Sequence, residues 1–365
     1  ASGQWQELNA NVTDRGIFML TVNEVANAIK LGSVDAGIIW DSTVAQYSDL
    51  RPVAAPELDA GLATIEIAIV KNSKNPTAAL KFARYVTARD KGLDIFRATG
   101  FDVLDGDPWD ETPEITFFAG AVNRLALEPV IRKFERREGV TVNTHFDGCG
   151  ILTSTMRGIK GGQTGSFPDV YMACDVYYLK VVEELFQDSV RVSDTDIVVV
   201  TQKGNPKGIR SIKDLAKPGV RVVLGEPENC TIGVLSKRLL ESEGLSYESL
   251  DSTGNLVNQM TSSALLIPQI TTGFADVVLA YRTDTRAEAN RLNVVSLDSH
   301  LAKAIQPFSI ARSSEHKQLG RRLYETIARS RDEFESRGFN WRLNGVRSVK
   351  QPRTNNAASA INKSE

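Results

Sequence analysis

The main pattern in this chain is an alternation of short apolar runs with longer segments whose apolar residues recur at helical spacing. Loop residues bound the short runs, and each longer segment has one apolar face. The pattern predicts strands at residues 115–119, 140–146, 169–173, 197–201 and 221–224, with helices at residues 125–137 and 152–159. Alternation of this kind is typical of parallel α/β layers.

The later part of this pattern occurs twice. One copy starts at Val34 with VDAGIIWDSTVAQY and continues through IEIAIV, and the other starts at Ala275 with ADVVLAYRTDTRAEA. Each copy predicts a buried strand, a second strand, a long amphipathic helix and a Gly-Phe terminus. Asn75 and Pro76 of the first copy are typical of a helix start, a cap followed by proline. Equivalent positions are Asp35 and Asp276, Trp40 and Tyr281, Phe96 and Phe334, Gly100 and Gly338, and Phe101 and Phe339.

The repeat divides the chain into unequal parts. Residues 114–345 are predicted to form a complete two-lobed domain. Residues 1–105 are predicted to form only the C-terminal half of a first such domain, because the long stretch before the second copy has no counterpart before the first. Residues 106–113, rich in Asp and Pro, are predicted to be a linker, and residues 346–365 a flexible tail. A half-domain alone exposes sheet edges and apolar helix faces, so we expect a second polypeptide to complete it.

Composition narrows the classes of function. Charged residues make up 24% of the 365 residues and the net charge is -2, so no basic surface for nucleic acid is indicated. The longest apolar runs are too short to span a bilayer, so no transmembrane segment is predicted. Three cysteines are too few for a disulfide scaffold, and the balance of residues is that of a globular protein.

The three cysteines share one kind of position. Cys149 lies three residues after a predicted strand, Cys174 directly follows one, and Cys230 lies in the loop after the strand at residues 221–224. Ligands of open α/β sheets lie beyond the carboxyl ends of the strands, so we expect all three thiols to reach one cleft. Three interpretations stay open. The thiols form a thiolate site for copper, zinc or a trivalent metalloid, a Cys149–Cys174 disulfide with Cys230 spare, or plain packing.

The chain resembles the molybdate/tungstate-binding family of ABC-transporter periplasmic solute-binding proteins. The resemblance is carried by ITFFAGAVNRLALEPVIRKFERREGVTVNTHFDGCGILTSTMRGIKGG, FPDVYMACDVYYLKVV, GEPENCTIGVLSKRLL and, in the first copy, TVNEVANAIKLGSVDAGIIW. It covers nearly the whole chain and implies a type II periplasmic binding fold, in which crossing hinge strands join two α/β lobes around a cleft. It also implies a periplasmic or extracytoplasmic location, no enzymatic activity, and delivery of a small inorganic ion to an ABC permease or a sensor.

The resemblance further implies which residues hold the ligand. Family members hold an oxyanion with small hydroxyl side chains and with backbone N–H groups at helix starts, where free donors and a partial positive charge coincide. The family's two serines fall here on Val122 and Cys149, so a soft metal ion and a molybdate-like oxyanion both stay open as ligands. The implied ligand-binding residues are Ala121, Val122, Asn123, Gly148, Cys149, Gly150, Cys230, Thr231, Ile232, Ser262, Ser263 and Tyr281, and the alternative metal ligands are Cys149, Cys174 and Cys230.

Two other classes of function compete with ligand capture by lobe closure. The first is an enzyme on the same fold with Cys149 or Cys174 as the nucleophile. A nucleophilic cysteine needs a base or a depressed pKa, and His145 is the nearby base that the sequence offers. The second is an assembly protein in which the half-domain docks a partner and the cleft is vestigial.

Overall fold

A computed structural model describes residues 5–55, 58 and 61–343, which form two compact units. The first unit holds the residues up to Pro113 together with Arg137–Gly139, and the second holds Glu114–Arg136 and the described residues from Val140 onward. Among these residues, no helix has both the length and the apolar composition needed to cross a bilayer. The predicted tail lies outside the described residues. The assignments of a half-domain and a linker stay predictions.

The first unit is helical in its described residues. Asn75 caps one helix by accepting a hydrogen bond from the N–H of Ala78 at 3.3 Å, and Pro76 is its first residue, so the predicted helix start is confirmed. The predicted strands VDAGIIW and IEIAIV are wrong, since neither segment has strand structure. A strand needs a neighbour for its backbone N–H and C=O groups, and no described residue of this unit supplies one. The helices are α1 (Trp5–Arg15), α2 (Val22–Lys30), α3 (Asp41–Val44), α4 (Pro76–Val86) and α5 (Gly92–Ala98).

The second unit has two lobes, each built on one mixed sheet. Lobe one has three parallel strands on one side and three antiparallel strands on the other. Its strand order is β2 (Thr141–Asp147), β1 (Glu114–Gly120), β3 (Val170–Met172), β9 (Lys303–Ile310), β4 (Val190–Gln202) and β10 (Asn340–Trp341). Its helices are α6 (Arg124–Glu138), α7 (Cys149–Lys160), α8 (Val176–Lys180), α12 (Lys317–Ala328) and α13 (Arg331–Ser336).

Lobe two repeats the scheme. Three parallel strands are followed by the second half of β4, which is antiparallel to its neighbours on both sides. The strand order is β6 (Leu256–Met260), β5 (Val222–Gly225), β7 (Val277–Tyr281), β4 and β8 (Leu292–Ser296), and the helices are α9 (Thr231–Ser242), α10 (Tyr247–Ser252) and α11 (Leu266–Thr271). The predicted two-lobed α/β fold is confirmed.

Strand β4 joins the two lobes. Residues 190–196 pair with β9 in lobe one, and residues 197–202 pair with β7 and β8 in lobe two. In the first half, the buried carboxylate of Asp194 accepts hydrogen bonds from Lys303 Nζ at 2.9 Å, Asn340 Nδ2 at 2.8 Å and Arg342 Nε at 2.6 Å. The Asp194 carboxylate therefore links β4 to β9, to β10 and to Arg342, near the point where β4 passes from lobe one to lobe two.

Candidate functional site

The candidate site lies where the two lobes meet, at the carboxyl ends of their parallel strands. This is the edge at which open α/β sheets bind ligands. Helix α7 starts here at Cys149, just after β2, and α9 starts at Thr231, after the loop that follows β5. The first turns of both helices leave backbone N–H groups without intrahelical partners, so each lobe presents hydrogen-bond donors.

Two buried thiols form the centre of the site. Cys149 is the first residue of α7, and Cys174 lies two residues after the end of β3. Their Sγ atoms are 3.1 Å apart, and the backbone N–H of Cys174 donates to Cys149 Sγ, also at 3.1 Å. Gly120, at the end of β1, leaves the room for them, since a Cβ atom there would lie 2.1 Å from Cys174 Sγ and 2.8 Å from Cys149 Sγ. The structure brings together these two of the three predicted thiols.

The two thiols differ in acidity. Burial disfavours a thiolate at Cys149, but the hydrogen bonds from the Cys174 thiol and backbone outweigh burial and lower the pKa of Cys149. The hydrogen bond with Cys149, followed by burial, raises the pKa of Cys174 well above its usual value. Cys149 is therefore the more acidic of the two coupled thiols.

Cys230 belongs to lobe two. It is the N-cap residue of α9, and its thiol donates to the backbone carbonyl of Met260 at 3.3 Å. Burial, above all, raises the pKa of Cys230 to about 12, so this thiol stays protonated at neutral pH. Within the described ranges, no three His, Cys, Asp or Glu side chains are placed to hold one metal ion. The predicted set of three thiolate ligands, Cys149, Cys174 and Cys230, is therefore not assembled in this structure, because Cys230 points toward β6.

Three buried hydroxyl groups surround the thiol pair. The hydroxyls of Tyr171, Thr231 and Tyr281 are shielded from solvent and have no hydrogen-bond partner of ordinary geometry. Those of Tyr171 and Thr231 nevertheless lie near enough to Cys149 to help lower its pKa. Burial, and then the negative charge of Cys174 and Cys149, raises the pKa of Tyr281 well above its usual value. An unpaired buried hydroxyl costs about 1–3 kcal/mol, so these three groups keep hydrogen-bonding capacity that a ligand can use.

The two lobes touch directly beside the thiols. The N–H of Gly150, on α7, donates to the carbonyl of Asn229 at 2.9 Å. The hydroxyl of Tyr178, on α8, donates to the carbonyls of Pro227 at 3.0 Å and Glu228 at 3.2 Å. A Cβ atom at Gly150 would lie 2.2 Å from the Glu228 carbonyl oxygen, and one at Gly148 2.5 Å from that of Thr261. Both glycines therefore permit the close approach of the lobes.

The other predicted ligand residues have mixed surroundings. Ala121, Val122 and Asn123 form a 3-10 turn after β1, and the Asn123 amide donates to the carbonyls of Met172 and Ala173. Val122 is buried and has no polar side chain, so only its backbone has donor capacity. Ile232, in the first turn of α9, is likewise buried and apolar.

The last predicted loop contains Ser262 and Ser263. Ser262 precedes a 3-10 turn that starts at the buried Ser263. Ser263 interacts with the partly buried Asp284. Burial raises the pKa of Asp284 to about 7, although the hydroxyls of Ser263 and Thr283 act to lower it. The ligand roles of all these residues stay predictions.

Sequence reasoning missed Tyr171, Tyr178 and Asp284. Tyr171 lies within a strand that the pattern correctly assigns to the interior, and the overlooked signal is its hydroxyl, since a buried tyrosine usually finds a partner for its O–H. Tyr178 follows Cys174, and Asp284 follows Tyr281, by a few residues. Nothing in this spacing indicates that Tyr178 bridges the lobes or that Asp284 has a raised pKa.

Two lobes that meet at the carboxyl ends of their parallel strands are the architecture of a solute-binding protein, and comparison with known proteins agrees with it. Residues 1–102 and 115–340 match the family of bacterial extracellular solute-binding proteins, and the chain belongs to this family. It is 27% identical over 192 residues to the "Molybdate-binding protein ModA" of Mycobacterium tuberculosis, covering 52% of this chain and 68% of that protein. It is 29% identical over 128 residues to a "Sulfate-binding protein" of Synechococcus elongatus, covering 32% of this chain and 36% of that one.

The fold also matches a solved structure. The periplasmic molybdate-binding protein of Azotobacter vinelandii superposes with a TM-score of 0.53 at 14% identity, covering 63% of this chain and all of that chain. The resemblance found in the sequence and the extracytoplasmic location that it implies are confirmed.

Proposed function

We propose that residues 114–343 capture a small inorganic oxyanion or oxyacid between the two lobes and present it to an ABC permease or a sensor. The observation that carries this proposal is the set of buried, unpaired hydroxyls of Tyr171, Thr231 and Tyr281. An oxygen-rich ligand would pair with them and with the N–H groups at the starts of α7 and α9. The names of the mycobacterial and cyanobacterial relatives favour the same class of ligand.

Binding explains the site better than catalysis does. A cysteine nucleophile needs a base within hydrogen-bond reach and a group that orients this base. The ring of His145, the base that the sequence offers, packs edge-on against the ring of Phe118, with the ring centroids 5.0 Å apart. Burial opposes a thiolate at Cys149, and the groups that lower its pKa most are Cys174, Thr231 and Tyr171. We therefore propose a binding protein without enzymatic activity.

Removal of one unpaired hydroxyl tests the proposal. Thr231→Val is expected to weaken the binding of whichever oxyanion or oxyacid the wild type binds by roughly 10- to 100-fold, because a hydrogen bond to a charged group contributes about 1.5–3 kcal/mol. Calorimetric titration with molybdate, tungstate, sulfate and arsenite measures the effect. Thr155→Val is the matched control, since Thr155 is exposed on α7 and bonds only to the Ile151 carbonyl in its own helix. Wild-type protein that binds nothing in this panel, or equal binding by wild type and Thr231→Val, would contradict the proposal.

A second polypeptide bound to the first unit is a further part of the proposal. Apolar side chains of this unit are widely exposed, among them Leu20 at 95%, Leu62 at 88% and Ile65 at 66%. Folded proteins rarely expose so much apolar surface unless another segment covers it. Native mass spectrometry of protein isolated without tags or detergent is expected to detect a complex heavier than one chain. A single species with the mass of one chain would contradict the proposed second polypeptide and would not affect the proposed ligand site.

A further inference from the structure

The two thiols occupy positions that favour bonding to a ligand. Cys149 Sγ accepts a hydrogen bond from the backbone N–H of Cys174, and the buried hydroxyls of Tyr171 and Thr231 lie beside the Cys149 sulfur. Sulfur therefore stands where the resemblance places a serine oxygen, at the first residue of α7. Thiolates select soft centres, whereas hydroxyls and backbone N–H groups suit oxygen atoms, and this site offers both kinds of group together.

We infer that the ligand is a trivalent metalloid oxyacid of the arsenite class, bound through two sulfur bonds to Cys149 and Cys174 while the hydroxyl groups hold its remaining oxygen. This inference rests on the proposed function, because it makes the interlobe site the ligand site and names the class of ligand.

The spacing of the sulfurs favours a pyramidal centre. With a bond of about 2.3 Å to each sulfur, two thiolates stand about 4.6 Å apart on a linear centre, about 3.8 Å apart on a tetrahedral one, and about 3.3 Å apart at a bond angle near 90°. The observed 3.1 Å comes closest to the last. A tetrahedral zinc site needs four ligands, and the described residues bring no third cysteine, histidine or carboxylate to the pair.

Charge around the pair also favours a neutral oxyacid. Asp175 directly follows Cys174 and is buried, with its carboxyl group accepting the backbone N–H groups of Tyr177 and Ile305, both at 2.9 Å. On lobe two, Glu226 directly precedes the Pro227–Asn229 loop, which touches lobe one. The Glu226 carboxylate accepts a hydrogen bond from the Asn229 side-chain amide. Acidic groups beside a low-dielectric site oppose a dianion such as sulfate or molybdate, but they do not oppose an uncharged trihydroxide.

The binding step conserves atoms and electrons. Two S–H groups and one M(OH)₃ molecule become one dithiolate M–OH group and two water molecules. Two M–O bonds break, two M–S bonds form, and each thiol proton leaves on a departing hydroxide as water. No atom changes oxidation state. Cys149, the more acidic thiol, forms the first bond and Cys174 forms the second, and each passes its own proton to the hydroxide that it displaces.

Arsenite is the probe that tests the inference. We expect the wild type to bind one arsenite and to lose two of its three free thiols, as counted after denaturation. Cys149→Ser and Cys174→Ser are each expected to weaken arsenite binding by 100-fold or more. Thr155→Val, the matched control, should bind within about threefold of wild type because Thr155 is exposed on α7 and its hydroxyl donates to the Ile151 carbonyl. Arsenic X-ray absorption should report two sulfur neighbours and one oxygen neighbour.

The outcomes separate this inference from the proposed function. Tight binding of molybdate or sulfate without arsenite binding would overturn the inference and leave the proposed function standing. Binding of neither kind of ligand would overturn both. Arsenite binding that survives Cys149→Ser, or a Cys149–Cys174 disulfide in protein isolated under native conditions, would also overturn the inference. Unfolding temperatures of the serine variants, together with molybdate binding by Cys149→Ser, distinguish lost ligation from lost folding.

Discussion

Replacing Gly150 by alanine is expected to lower ligand affinity by on the order of 100-fold, because it holds the two lobes apart. The added Cβ atom would lie 2.2 Å from the Glu228 carbonyl oxygen and 2.7 Å from Asn229, both on the opposite lobe. Gly150 is the second residue of α7, where alanine favours the helix, so lobe one itself should not lose stability. The substitution therefore acts on closure and leaves the folding of each lobe unchanged.

Calorimetric titration gives the affinity, and small-angle scattering with and without ligand reports closure. We expect Gly150→Ala to stay open at ligand concentrations that close the wild type, with an unchanged unfolding temperature in the absence of ligand. Gly161→Ala is the matched control at the other end of α7, since a Cβ atom there approaches no atom closer than 3.4 Å. Wild-type affinity in Gly150→Ala would show that the contact between α7 and the 227–229 loop is not needed for binding.

Asp194→Asn is expected to lower the free energy of unfolding by about 3 kcal/mol at pH 7, because it leaves two cationic partners beside a buried neutral amide. The Asp194 side chain is only 6% exposed, and it accepts hydrogen bonds from Lys303, Asn340 and Arg342. Burial disfavours the Asp194 carboxylate, but these three donors outweigh burial and lower its pKa below the usual value of 3.8. Urea unfolding of wild type and variant measures the difference.

The same carboxylate makes this difference depend on pH. A pKa that is lower in the folded than in the unfolded state adds stability above the unfolded pKa, and this stability is lost as the pH falls through the folded value. We therefore expect the gap between wild type and Asp194→Asn to be constant at neutral pH and to narrow below pH 3.8. Asp196→Asn is the control, two residues along β4 with a 39% exposed side chain, and should change the stability by under about 1 kcal/mol. Equal losses of unfolding free energy in Asp194→Asn and Asp196→Asn would contradict the conclusion that burial makes the Asp194 interactions the stronger ones.

The sequence was most informative where periodicity and strand ends decide the structure. Alternating apolar runs correctly predicted parallel layers, and the positions of Cys149 and Cys174 after consecutive strands correctly predicted that their thiols meet. Both predictions depend on local geometry, because a parallel sheet gathers its strand ends at one edge. The start of α4 at Pro76 was predicted for the same kind of reason, since capping involves residues only three apart.

Predictions failed where distant residues decide the outcome. Cys230 has the same strand-end position as the other two cysteines, yet the Met260 carbonyl, thirty residues along the chain, takes its thiol. Likewise IEIAIV has the composition of a strand, but a strand also requires a neighbouring strand, which its own residues do not encode. The unpaired hydroxyls could not be predicted from the sequence, because burial of a hydroxyl without a partner is a property of the assembled cleft.

Strand β4 also sets the order in which the second unit assembles. Lys303 and Asn340, which hold Asp194 in place, follow it by 109 and 146 residues, and all of lobe two lies between them and the first half of β4. Contacts of such long sequence separation carry the largest loop-closure entropy and form late. We therefore expect lobe one to be completed only after lobe two has brought β9 back to it. Lobe one is discontinuous in the chain and shares β4 with lobe two, so the cleft is expected to form in the step that completes lobe one.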